Sequence, residues 1–176
     1  MRSSLLPCIL FLLSACSTTS YYVVRHAEKE VAQGAMSGSS DVPLSTAGYK
    51  RAEALKEELK GRDIRYIFST STRRTLATAE PLHELYGLRM NLYNTRDTLG
   101  KFIARLKSIR KGNVLVVGHS NTVDDIVNGL TGKQSIIRDL DDSEYNNLFI
   151  VRRSGNRFKF HAKTYGDTAV SVSRKF

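Results

Sequence analysis

Two apolar runs that each end in a histidine constrain this chain more than any other feature. Tyr21-Tyr22-Val23-Val24 leads into Arg25-His26-Ala27-Glu28, and Asn113-Val114-Leu115-Val116-Val117 leads into Gly118-His119-Ser120. Unbroken runs of β-branched and aromatic residues read as buried strands. Open α/β sheets place their ligand crevices at the carboxyl ends of such strands. Two strands with an imidazole at the tip, one of them behind a guanidinium, therefore predict a single site built from both.

The rest of the chain supplies the elements such a sheet needs. A small-residue segment, Ala32 to Asp41, reads as a loop that could close over the site. Ser45 or Thr46 caps a helix whose apolar face is Ala52, Leu55 and Leu59, with Gly61 as its stop. Ile64 to Ser69 reads as a strand, Thr72 to Tyr86 as a helix ended by Gly87, and Met90 to Tyr93 as a short strand. Thr98 to Arg110 and Asn121 to Leu130 read as helices on either side of the strand at Val114. Asn147 to Arg153 and Arg157 to Thr164 flank Ser154-Gly155-Asn156, a hairpin signal. Alternating strands and helices predict an α/β fold, a three-layer α/β/α sandwich with a mostly parallel central sheet and an edge hairpin. With 176 residues, no repeat and no second composition, one domain over residues 21–176 is expected.

The charge balance is 27 Lys+Arg against 17 Asp+Glu, a formal +10. Such a surface attracts anions: phosphorylated substrates, nucleic acid or an acidic membrane face. No Lys/Arg run forms a nucleic-acid arm, and the aromatic residues are not interleaved with basic ones, so nucleic acid is not an expected partner. The four histidines have no metal-site spacing and Cys is absent from residues 21–176, so neither a metal nor another cofactor is expected.

Met1-Arg2, the apolar run Leu5 to Leu13 and Ser14-Ala15-Cys16 follow the order of a secretory signal. The apolar run is too short to span a bilayer, which needs ~20 residues. Leu13-Ser14-Ala15-Cys16 resembles the bacterial lipobox. That resemblance implies a signal peptide over residues 1–15, lipidation of Cys16 and a short tether over residues 16–20. Ser17 after the Cys is similar to the pattern of outer-membrane lipoproteins, which implies the cell envelope, facing the periplasm. Cys8 would leave with the signal, so no internal disulfide is expected.

Four separated segments then belong together: Arg25-His26-Ala27-Glu28, Leu44-Ser45-Thr46-Ala47-Gly48, the run from Ser69 to Glu80 holding Arg73-Arg74 and Thr78-Ala79, and Gly118-His119-Ser120. In this order the chain resembles the histidine phosphatase superfamily, also called phosphoglycerate-mutase-like. The resemblance implies a phosphomonoester hydrolase that forms a phosphohistidine on His26, with His119 stabilising the transferred group and Arg25 and Arg74 completing a phosphate clamp. Arg74 rather than Arg73 stands at the family's spacing before Thr78. The general acid is open between Asp97, whose position also suits a helix N-cap, and Asp124. Asn121 and Glu28 are further expected contacts of the phosphate or its loop; His83 and His161 read as structural.

The chemistry agrees with these residue types. A phosphoryl group in transfer spreads negative charge over its equatorial oxygens, which guanidinium forks match. A neutral imidazole is a competent nucleophile. The expected partner is a phosphorylated small molecule, an envelope glycolipid or a phosphoprotein, with membrane contact through the N-terminal lipid. The alternatives are a mutase-like phosphotransferase and a non-catalytic anion-binding lipoprotein.

Overall fold

The computed structural model describes residues 18–30, 41–95 and 98–166. Six strands form one mixed sheet in the order β3-β2-β4-β1-β5-β6. β1 (Thr18–Arg25), β2 (Ile64–Ser69), β3 (Met90–Leu92) and β4 (Asn113–Gly118) are parallel, while β5 (Asn147–Ser154) and β6 (Arg157–Thr164) run antiparallel as the hairpin. Helices α1 (Thr46–Leu59) and α2 (Arg73–Tyr86) cover one face, α3 (Leu99–Ser108) and α4 (Val123–Thr131) the other. This is the three-layer α/β sandwich read from the sequence.

Strand alternation explains why both faces are covered. On β1, Tyr21 and Val23 join Val114 and Val116 of β4 under Phe102, Leu106, Val123, Ile126 and Leu130. Tyr22 and Val24 join Leu115 and Val117 on the other face, under Leu55, Leu59, Ala79 and Leu82. A strand apolar on both faces belongs in the middle of a sheet between helices.

Element boundaries differ from the sequence reading where tertiary pairing decides them. β1 begins at Thr18, so Thr18 to Ser20, read as tether, pair with Ser154, Arg153 and Arg152 of β5. The Ser20 amide also donates to Asn113 Oδ1 at 2.8 Å. α3 ends at Ser108 and α4 starts at Val123, each shorter at one end than its apolar pattern. Cys16, residues 32–40 of the expected Ala32 to Asp41 loop, and Asp97 lie outside the described residues.

α1 is fixed against the end of β1 through one close approach. Ser45 caps α1, accepting from the Gly48 amide at 3.2 Å, and the Ser45 amide donates to Glu28 O at 2.9 Å. A Cβ on Gly48 would stand 2.1 Å from Glu28 O, a backbone atom that cannot move without the loop carrying His26. Gly48→Ala is expected to cost about 2–3 kcal/mol, as overpacking against rigid backbone does, and to lower phosphatase turnover along with it. A thermal melt within 1 °C of the parent would refute this account.

Candidate active site

β1 and β4 are neighbours in register, with Arg25 opposite Gly118, so both chains leave the sheet side by side at their carboxyl ends. His26 follows Arg25 and its amide donates to Gly118 O at 2.9 Å. His119 follows Gly118. The two imidazole rings stand 5.5 Å apart between centroids, edge to face. His26 is 4% exposed, while His119 is half-buried at the rim. α2 reaches the same place: the Ala27 amide donates to Thr78 Oγ1 at 2.9 Å, and Thr78 Oγ1 donates to Arg74 O at 2.7 Å. One turn back along α2, an Arg74 Nη2–H points at His119 Nδ1 at 3.5 Å.

Hydrogen bonds assign the tautomer of each ring. His26 Nδ1 lies 2.8 Å from Ala27 O. A carbonyl only accepts, so Nδ1 carries the proton and Nε2 keeps its lone pair. At His119 the guanidinium of Arg74 can only donate, so Nδ1 is the lone-pair nitrogen and Nε2–H donates to Thr70 Oγ1 at 2.9 Å. Thr70 in turn donates to Thr75 Oγ1 at 2.9 Å, and Thr75 to the carbonyl oxygens of Thr70 and Thr72 at 3.0 and 2.9 Å. The relay ends on backbone carbonyls, so its direction is fixed.

Electrostatics keep both rings neutral. Burial lowers the pKa of His26 from 6.5 to about 3, helped by the positive charges of Arg25 and Arg74 and opposed by the Ala27 hydrogen bond. Burial, then Arg74 and Arg25, lower His119 to about 4, with Asp41 acting the other way. Asp41 lies 3.7 Å from Arg74 Nη1 and accepts from the Arg73 amide at the start of α2.

Arg25 is 3% exposed and clamps the loop before β5. It donates to Asp141 O at 2.7 Å and to Asp142 Oδ1 at 3.1 Å, and its Cζ lies 4.2 Å from the Tyr145 ring centre. Its Nε is buried with no hydrogen-bond partner among the described residues, a donor in need of an acceptor. A cavity of about 580 Å³ adjoins His119, lined by Thr70, Ser71, Thr72, Leu92, Tyr93, Asn94 and Thr95. Its lining is uncharged and rich in hydroxyl and amide groups.

The other residues singled out from the sequence fall elsewhere. Glu28 is not turned to the anion site: its carboxylate holds the Arg51 guanidinium at 2.6–2.9 Å, where it shapes the loop instead of meeting an anion that would repel it. Asn121 is exposed on the turn before α4. Burial raises the pKa of Asp124, and the negative charges of Asp125 and Asp139 act in the same direction. His83 caps the end of α2 through Leu88 O, and His161 is exposed on β6. Thr70, Thr75 and Tyr145 escaped notice because hydroxyls in a Thr-rich turn and a lone loop tyrosine carry no spacing signal. Among the described residues no group of three His, Cys, Asp or Glu could hold a metal ion, and no helix is long and apolar enough to cross a membrane.

The sequence profile of the histidine phosphatase superfamily (branch 1) matches residues 21–95. Comparison with curated proteins gave no match. Among solved structures, the chain is similar to the protein histidine phosphatase SixA complexed with tungstate, at 18% identity and a TM-score of 0.63, covering 82% of this chain and 96% of that one. It is similar to phosphoserine phosphatase from Entamoeba histolytica in complex with 3-phosphoglyceric acid, at 14% identity and a TM-score of 0.58, covering 86% and 98%. It is also similar to mycobacterial hydrolase 2, at 13% identity and a TM-score of 0.61, covering 86% and 94%. At these identities the likeness is one of fold.

Proposed function

We propose that the chain, whose residues 21–95 match the profile of the histidine phosphatase superfamily (branch 1), is a metal-independent phosphomonoester hydrolase working through a phosphohistidine on His26. The carrying observation is the tautomer of His26: with Nδ1–H fixed on Ala27 O, a buried neutral Nε2 is left to attack, beside His119 and two guanidinium groups. Nε2 forms a bond to phosphorus as the bond to the leaving oxygen breaks. That oxygen takes a proton from a carboxylic acid, in this proposal Asp97, and departs into the uncharged cavity beside His119. Water then attacks the phosphohistidine and gives a proton back to the Asp97 carboxylate as the P–N bond breaks; inorganic phosphate leaves, and Nε2 regains its lone pair. Arg25 Nε–H and Arg74 meet the equatorial oxygens. A protonated Nδ1 of His119 adds a further donor once a bound dianion raises that pKa.

The test is to trap the intermediate. Brief incubation with a ³²P-labelled phosphomonoester and acid-free denaturation should leave acid-labile label on His26, at equal yield with and without chelator. No label on an enzyme that turns over would overturn the covalent route. Asp97→Asn is expected to slow alkyl phosphates by roughly 10²-fold while nearly sparing p-nitrophenyl phosphate, whose leaving group needs no proton.

The pH profile follows from the lowered pKa values. The neutral, reactive form of His26 persists as pH falls until it approaches about 3. Hence kcat/KM, corrected for the second ionisation of the substrate, is expected to stay flat from pH 7 to about 5. An acid limb near 6.5, the ordinary imidazole value, would show an unperturbed nucleophile.

In this proposal the protein is exported and anchored to the outer membrane through lipid on Cys16, and its substrate is a phosphorylated protein side chain or small molecule met in the periplasm. The likeness of fold to SixA supports a protein phosphohistidine as one such substrate. Cys16→Ala should release the protein from the membrane fraction; retention would sink the lipid assignment.

A further inference from the structure

The site occupies the carboxyl end of the sheet; the opposite end is basic. β1 is 8 residues long, so at ~3.3 Å per residue the two ends lie roughly 25 Å apart. Contacts tie the far-end elements together. Asn113 at the start of β4 accepts from the Ser20 amide of β1, donates to Arg62 O, and its amide donates to Asp63 O. Arg65 lies against Gly112. Arg153 bridges Lys107 O and Ile109 O, behind α3, to Gly155 O in the hairpin turn. Thr18 pairs with Ser154 beside that turn.

Around this end stand the exposed cations Arg62, Arg110, Lys111 and Arg157. The carboxylates here are met in part by other cations: Asp63 by Arg65, Glu57 by Lys60 and Glu58 by Lys163 at 2.7 Å, with Arg62 shared onto Glu58 at 3.7 Å. The last turns of α1 and α3 add Lys56, Arg105 and Lys107, and the four cations lie on the loops and the hairpin beyond them.

The chain preceding Thr18 leaves the domain at this same end. Its 17 residues include the apolar run Leu5 to Leu13 and Cys16. We propose that the basic end is a docking face for acidic phospholipid headgroups, which holds the domain end-on to the bilayer with His26 pointing away from it. Charge complementarity and the exit point of the membrane-directed segment select a lipid surface over other anions. The inference draws on the envelope location proposed above, but the docking face and the lipid on Cys16 separate experimentally.

The experiment uses the full chain carrying Cys16→Ala, sedimented with vesicles of pure phosphatidylcholine or of phosphatidylcholine with 30% phosphatidylglycerol. Binding to the acidic vesicles is expected to be tighter and to weaken as salt rises. Each surface cation contributes about fivefold to such partitioning. R62Q/R110Q/K111Q/R157Q should therefore lose roughly 600-fold in binding to acidic vesicles and little to neutral ones. K111Q/R157Q, which leaves the Glu58 pair intact, should lose roughly 25-fold. K50Q/K101Q, at the site end, should bind like the parent. All should hydrolyse p-nitrophenyl phosphate at the parent's rate. Equal binding to both vesicle types, an equal loss in K50Q/K101Q, or a preference for a single-stranded oligonucleotide over acidic vesicles at the same salt would overturn the proposal. Loss of the lipid alone would weaken attachment to both vesicle types equally, leaving the preference intact.

Discussion

His26→Ala is expected to lower kcat for p-nitrophenyl phosphate by roughly 10⁴-fold or more, the scale on which a covalent nucleophile acts. The variant should keep its fold. Among the described residues the His26 ring makes one side-chain hydrogen bond, to its neighbour's carbonyl, while its amide bond to Gly118 O belongs to the backbone and survives. Affinity for inorganic phosphate should change only a few-fold, because the guanidinium groups that hold the anion remain. That combination separates a nucleophile from a phosphate ligand. His119→Ala should cost less, on the order of 10²–10³-fold, as loss of one donor to transition-state charge does. A His26→Ala enzyme that retained a tenth of parental kcat would remove this ring from the chemistry.

The largest effect on stability is expected at Glu28. Glu28→Gln leaves the Arg51 guanidinium, 8% exposed, without the carboxylate that now meets it with three contacts of 2.6–2.9 Å. Breaking a buried ion pair by removing one partner costs several kcal/mol because the other charge stays buried. A fifth of the Glu28 side chain remains in contact with water, so the lower end applies, about 3 kcal/mol. For a domain of this size that is roughly 6–12 °C in Tm. Turnover should fall with it, since Glu28 O also anchors Ser45 and faces Gly48. The double variant Glu28→Gln, Arg51→Met should regain much of the loss. A single variant as stable as the parent would mean that Arg51 finds another partner.

The sandwich, the order of its elements and the delivery of two histidines to strand tips were legible because each is a local matter: strand propensity, helical period, a glycine stop. Which strands touch was not. β1 lies between β4 and β5, and nothing in Thr18 to Ser20 announces an extended conformation until Arg152 to Ser154 is beside it. Pairing of charges was equally invisible. Glu28 follows the Arg-His pair and reads as a ligand contact, yet its partner is Arg51, on a helix 23 residues on. Arg25 reads as a free phosphate fork, yet two of its nitrogens hold Asp141 and Asp142, more than a hundred residues away. Thr70 and Thr75 are ordinary turn residues until His119 comes within 2.9 Å and makes them the ring's support.

The seat of β1 between β4 and β5 has a consequence for biogenesis. The first strand to leave the ribosome pairs with β4 on one edge but waits for one of the last strands on the other, so it is held on both sides only once Asn147 to Ser154 has emerged. Nascent chains stalled before that point should be open along the apolar edge of β1, a surface for chaperones. The site is thus completed only when synthesis is nearly finished, since Asp141, Asp142 and Tyr145, which hold Arg25, emerge just ahead of the strand that closes the second edge of β1.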